Sequence, residues 1–172
     1  MPAMQRGQHA VEGRLQSEFR QIKANVVGVH GTVVATSDGF LVAHDVPDLD
    51  PTDLAALLAA SRALASQGIA ATGRGQFREA ISRGTDGYLA VYAAGSNAIV
   101  AVIGDPELNV GLLHLLVHDS VERIASYTAE FGRWAAAPGH STVPAGRGTS
   151  SDNDSDSDSD SASGLPVRRR HH

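Results

Sequence analysis

The chain has no cysteine, a single lysine, Lys23, and only 5% aromatic residues. The first absence excludes disulfides, cysteine-ligated zinc or iron–sulfur centres and thiol catalysis. Long hydrophobic runs are also missing. Apolar stretches such as 98–103 and 112–117 fall well short of the ~18 residues that a membrane-spanning helix needs. Residues 1–13 lack the charged start and apolar middle of a signal peptide. These absences lead to the expectation of a cytoplasmic protein without direct membrane insertion, recruited to a membrane only through a partner. A basic stripe is absent as well, with 14 Lys+Arg against 19 Asp+Glu and a net charge of −5. Nucleic acid is therefore not expected as a partner.

The 172 residues, 42% of them hydrophobic, suit one globular domain plus extra polypeptide. From Ala135 the sequence turns to Pro, Gly, Ser, Thr and Asp, with an Asp-Ser alternation over 151–161. Too little apolar surface is available there to offset the entropy of ordering. The alternation lacks the glycine and terminal glutamate of a calcium loop. The expected organisation is a flexible N-terminus at 1–8, a folded domain at 9–134 and a disordered tail at 135–172, whose closing Arg168-Arg169-Arg170-His171-His172 stands apart from the fold. The tail's five aspartates nearly balance its four arginines, so residues 1–134 carry most of the net negative charge.

Within the domain, Val11, Leu15, Phe19 and Ile22 recur with helical spacing and predict an amphipathic helix over 9–23. Strands follow at 29–36 and 40–45, joined by the hairpin signal Ser37-Asp38-Gly39. Asp50-Pro51-Thr52-Asp53 reads as an N-cap, a first-turn proline and an acid facing the positive helix end, opening a helix to about residue 67 or 68. Its wheel places Leu54, Leu57, Leu58, Ser61, Leu64 and Ala65 on one face and Ala56, Ala59, Ala60 and Ala63 on the other, so it is expected to be covered on both sides. Three strands at 76–83, 88–94 and 98–103 form a meander around two glycine-containing turns. Asn109 caps a final helix reaching Trp134, with Val110, Leu113, Val117, Val121, Ile124, Tyr127 and Phe131 as its buried stripe. The expected fold class is α+β, a five-stranded antiparallel sheet with helices on both faces, in the order α-β-β-α-β-β-β-α.

This order, and the residues that fill it, resembles the roadblock / dynein light chain domain family in its bacterial branch. The resemblance rests on Val29-His30-Gly31-Thr32-Val33-Val34-Ala35-Thr36-Ser37-Asp38-Gly39-Phe40-Leu41-Val42-Ala43, on Arg83-Gly84-Thr85-Asp86-Gly87-Tyr88-Leu89-Ala90-Val91-Tyr92-Ala93-Ala94-Gly95, and on Asn109-Val110-Gly111-Leu112-Leu113. It implies a homodimer in which the middle helix and the third strand each meet their twins. The expected dimer interface is Ala56, Ala59, Ala60, Ala63, Phe77, Arg78, Glu79 and Ile81. The competing reading of the alanines is plain exposed helix surface, since alanine is the best helix former. The resemblance further implies a small Ras-like GTPase as partner, with a sensor kinase as another in some high-GC bacteria, and no active site or cofactor. Regulation of the GTPase's nucleotide cycle is the leading function. An adaptor joining a sensor kinase or another roadblock-like chain, and a small-molecule sensor, are the alternatives.

Residues suggestive of chemistry are few. His114 and His118 have metal-ligand spacing, with Asp119 as a third candidate, but both lie off the buried stripe and read as surface histidines, so no metal is expected. Gly73-Arg74-Gly75 lacks the Gly-Lys-Ser/Thr of a phosphate-binding loop. Ser37 has no base fixed beside it in sequence. Arg62, Arg74, Arg78 and Arg83 are the arginines available to a GTPase, although the resemblance implies action by reshaping the GTPase rather than by an inserted arginine. Arg62, Arg74, Leu112 and Leu115 make up the candidate partner surface, with cover by the first helix as the alternative for the two leucines.

Overall fold

A computed structural model describes the backbone of residues 2–135 and the side chains of residues 9–130. They belong to the first of two compact units, Met1–Ser141. The second unit, Thr142–His172, lies outside the described residues, as do residues 136–172 of the expected tail, whose first residue, Ala135, ends α3, and the side chain of Phe131. The elements are α1 (Pro2–Asn25), β1 (Val29–Thr36), β2 (Leu41–His44), α2 (Pro51–Ala71), β3 (Glu79–Gly84), β4 (Gly87–Ala94), β5 (Ala98–Gly104) and α3 (Val110–Ala135). This is the order that the periodicities predict. Helix α1 starts at Pro2 rather than His9, so the segment expected as a flexible stub is helical. Ala3, Met4, Gln5, Arg6 and Gln8 all favour helix, and Gly7 alone does not break it.

The five strands form one antiparallel sheet in the order β2-β1-β5-β4-β3. Period-two alternation sends successive residues to opposite faces, and both faces are covered. On one face Val34, Ala90, Tyr92, Val100 and Val102 pack with Leu15, Phe19 and Ile22 of α1 and Leu113, Val117 and Ile124 of α3. On the other, Val33, Val91, Ile99 and Ala101 pack beneath Leu58 of α2. The hairpin between β1 and β2 places Gly39 at φ 87°, in the left-handed region that favours glycine.

Capping matches the sequence signals. The Asp50 carboxylate accepts from the Thr52 N–H at 2.8 Å with Pro51 in the first turn, and Asn109 Oδ1 accepts from the Leu112 N–H at 2.9 Å. Helix α2 passes Gly68 and ends at Ala71, because Ile69 turns back to a half-buried position and Gly73, at φ 66°, follows only later. Strand β3 starts three residues later than expected. Gln76, Phe77 and Arg78 precede it, although the Arg78 carbonyl still accepts from the Ala93 N–H at 2.8 Å.

The helices are tied down by polar contacts as well. Arg123 of α3 donates through Nε and Nη2 to the two oxygens of Glu18 on α1, at 2.8 and 2.9 Å, and through Nη2 to Ser120 Oγ at 3.1 Å. Glu18 is 6% exposed, and this bidentate hydrogen bond holds the Arg123 pKa above its ordinary value. Lys23 at the end of α1 pairs with Asp45 at 2.8 Å, and Asp45 also accepts from the Thr32 N–H of β1.

Candidate functional site

Helix α2 meets the sheet through a narrow stripe. Only Ala55 and Leu58 are fully buried, while Leu54, Ala59, Arg62, Ala65, Ser66 and Ile69 are half-buried beside them. The opposite face is exposed and apolar, comprising Ala56, Leu57, Ala60, Ala63, Leu64 and Ala71, with Leu57 at 66% and Leu64 at 70% exposure. This corrects the sequence wheel in two places. Leu57, Ser61 and Leu64 leave the sheet-facing side and join the alanines, whereas Ala59 turns inward against the core under α2. The wheel shows that α2 is apolar all round, but the sheet selects which part of the circle it covers. An 18-residue window of α2 has a mean hydropathy of 1.3 and is only 11% buried, so length and composition alone would also fit a membrane span. The stripe packed on the sheet instead fixes α2 to the domain.

Strand β3 forms one end of the sheet, hydrogen-bonded to β4 alone among the described strands. Its outer row of backbone donors and acceptors is open to pairing. Register places Glu79 opposite Tyr92, Ile81 opposite Ala90 and Arg83 opposite Tyr88, so these three face the α1/α3 side. Ala80 and Ser82, opposite Val91 and Leu89, face the α2 side. Ile81 is 38% exposed. Phe77 is half-buried and Arg78 exposed, both just before β3 begins. The expected interface residues thus divide: Ala56, Ala60 and Ala63 lie on the outer face of α2, Glu79 and Ile81 on edge strand β3 with Phe77 and Arg78 just before it, and Ala59 faces the core.

A second apolar surface lies on the other side of the sheet. On α3, Leu112, Leu115 and Leu116 are 36%, 73% and 42% exposed. Leu116 lines a small recess with Gln21, Ile22, Asn25 and Val26 of α1. Helix α1 therefore reaches the flank of α3 at Leu116 and leaves Leu115 uncovered.

Among the arginines, Arg62 is engaged within the domain. It donates through Nη1 to Ser37 Oγ and through Nη2 to the Ser96 carbonyl, at 3.1 Å for the latter, joining α2 to two turns. Ser37 in turn donates its hydroxyl to the Ser96 carbonyl at 3.0 Å, so it is a structural serine rather than an activated nucleophile. Arg83 lies over the Tyr88 ring, 5.6 Å from its centroid. Arg74 and Arg78 are exposed along an open groove of about 1020 Å³, which extends round the sheet end to His118 and Glu122.

The two histidines do not stand apart on the surface. His114 Nδ1 is 2.8 Å from Glu79 Oε1, and His118 Nε2 is 3.8 Å from Glu79 Oε2. Asp119, the third ligand considered from sequence, is exposed and takes no part in this cluster. Glu79 does, because β3 is the edge strand beneath that flank of α3. No local spacing signals this meeting, which depends on strand order.

The sequence model of the Roadblock/LC7 domain family matches residues 20–104. Residues 20–104 form a Roadblock/LC7 domain. The match runs from the second half of α1 to the end of β5, and α3 completes the Roadblock/LC7 fold beyond it. Among solved structures, an MglB with a tetrameric arrangement is 23% identical, with a TM-score of 0.65 over 70% of this chain and 92% of that one. The gliding protein MglB of Thermus thermophilus is also 23% identical, at a TM-score of 0.64 over 70% and 93% of the two chains. A Roadblock/LC7 domain from Streptomyces avermitilis is 21% identical, at a TM-score of 0.61 over 66% and 96%. At these identities the likeness is one of fold. No curated protein sequence matches the chain significantly.

Proposed function

We propose that this Roadblock/LC7 protein is a non-catalytic homodimeric regulator or scaffold that binds a small Ras-like GTPase and modulates its nucleotide cycle. The observation that carries the reading is the pair of unpartnered apolar surfaces on opposite sides of the sheet. One is the Ala/Leu face of α2, and in addition β3 leaves an open edge at the end of the sheet. Small alanines let a second helix approach closely, and Leu57 and Leu64 supply the area to bury. Pairing of β3 with its twin would satisfy the exposed backbone row. The tetrameric arrangement described for an MglB of similar fold accords with self-association.

On the other side, Leu112, Leu115 and Leu116 present a second patch that dimerisation through α2 leaves accessible, and it suits a protein partner. The GTPase itself comes from the family resemblance. The role is binding rather than chemistry, with Arg62 and Ser37 bonded to each other and to Ser96. Mixing the full chain with the Ras-like GTPase encoded nearest its gene, loaded with GDP or with a GTP analogue, tests the reading. Complex formation in one nucleotide state and an altered rate of GTP hydrolysis are expected. Absence of binding in both states would overturn it.

A further inference from the structure

His114 and His118 stand one helical turn apart on the flank of α3 that overlies the edge strand. Their rings lie 4.9 Å apart, centroid to centroid, and nearly perpendicular. Glu79 reaches up from β3 with one carboxylate oxygen towards each ring, and one ligand atom from each of the three residues lies within 4.8 Å of the others. An ion pair needs one imidazole only. The second histidine leaves Glu79 Oε2 beyond hydrogen-bond range, and that oxygen is buried without a partner, as is the Tyr92 hydroxyl directly across the strand pair. A buried carboxylate oxygen with no donor is an uncommon arrangement, and a cation held between the three side chains would complete it.

We propose that Glu79, His114 and His118 bind a divalent transition-metal ion, Zn2+ above all, which staples the edge strand β3 to helix α3. Two imidazole nitrogens and one carboxylate oxygen form a donor set suited to Zn2+, whereas Mg2+ and Ca2+ require oxygen-rich shells. Three protein ligands leave a fourth tetrahedral position to water or another donor. Bonds of about 2.0–2.1 Å set ligand atoms about 3.3 Å apart, so the cluster must close slightly on the ion. The side chains of His114 and His118 are 54% and 43% exposed, so solvent rather than packed core borders them on the outer side. The site is independent of the GTPase reading, since it lies within one chain and needs no partner.

The test is equilibrium dialysis of the full chain, stripped of metal, against Zn2+ alone, with metal analysis of the retained protein and Co2+ absorption as a probe of tetrahedral nitrogen and oxygen ligation. One Zn2+ per chain is expected. His114→Ala, His118→Ala and Glu79→Gln should each weaken it by about 10–100-fold or more, since loss of outer-shell partners alone costs that much. A His171→Ala/His172→Ala variant should keep it. Zn2+ should also raise the melting temperature of the wild type but not of His118→Ala, whose circular dichroism should match the wild type without metal. Absence of saturable uptake, or equal uptake by the wild type and all three site variants, would overturn the proposal and leave a plain Glu79–His114 ion pair.

Discussion

The Glu18–Arg123 pair shows how much a single residue can decide. Two parallel hydrogen bonds at 2.8 and 2.9 Å fix α1 to α3, with the carboxylate buried and the guanidinium 39% exposed. Arg123→Ala would strand an uncompensated buried carboxylate and should lower stability by about 3 kcal/mol, read from denaturant midpoints. Tyr92 is 1% exposed, and burial, with the Glu79 carboxylate nearby, raises its pKa above the ordinary 10.0. A raised folded-state pKa means that the native chain holds a proton which the unfolded chain releases. Its contribution is therefore full below pH 10.0 and is lost as pH rises above it. Alkaline titration of tyrosine absorbance should show one tyrosine ionising only as the fold is lost, and Tyr92→Phe should remove that component. Gly39 is set by its own geometry, since at φ 87° an added Cβ would also sit 3.2 Å from the Ala56 backbone. Gly39→Ala is expected to destabilise the hairpin by about 1 kcal/mol or more, measurable in thermal unfolding.

At the scale of the element, α2 and β3 show why a pattern can be read and its orientation missed. The cap at Asp50, the proline at 51 and the run of alanines and leucines define a helix, but an all-round apolar helix carries no moment to say which side meets the sheet. Leu57 and Leu64 are exposed because Leu58, flanked by Leu54 and Ala59, is the residue that packs on Val33, Val91 and Ile99. Leu57→Arg and Leu64→Arg should convert dimer to monomer in sedimentation velocity while leaving monomer stability within about 0.5 kcal/mol, as expected for surface positions. Ala63→Glu should act in the same direction by placing charge between close-packed helices. Ala59→Glu should instead destabilise the fold, since Ala59 faces the core.

For the whole molecule, the separation of the two apolar surfaces gives the prediction with most bearing on function. Leu115→Asp on α3 should weaken binding of the GTPase without changing the dimer, because Leu115 is 73% exposed and lies on the opposite side of the sheet from α2. Pull-down against the nucleotide-loaded GTPase, run beside sedimentation of the variant alone, separates the two effects. Leu64→Arg should give the converse result in sedimentation.

The sequence by itself determined the elements and their order, because caps, turn glycines and the shift from a 3.6-residue to a two-residue period are local properties of the chain. Asp50, Asn109, Gly39 and the stripe from Leu113 to Ile124 all act where the sequence puts them. Only the tertiary structure decided which face of α2 stays open, that Arg62 is consumed by Ser37 and Ser96, and that Glu79 rather than Asp119 joins the two histidines. Each of these depends on the strand order β2-β1-β5-β4-β3, which brings residues 35 positions apart, such as Glu79 and His114, into contact. Local turns encode the β1–β2 and β3–β4–β5 adjacencies, whereas the β1–β5 junction and the seating of the three helices are fixed only by packing of the whole sheet.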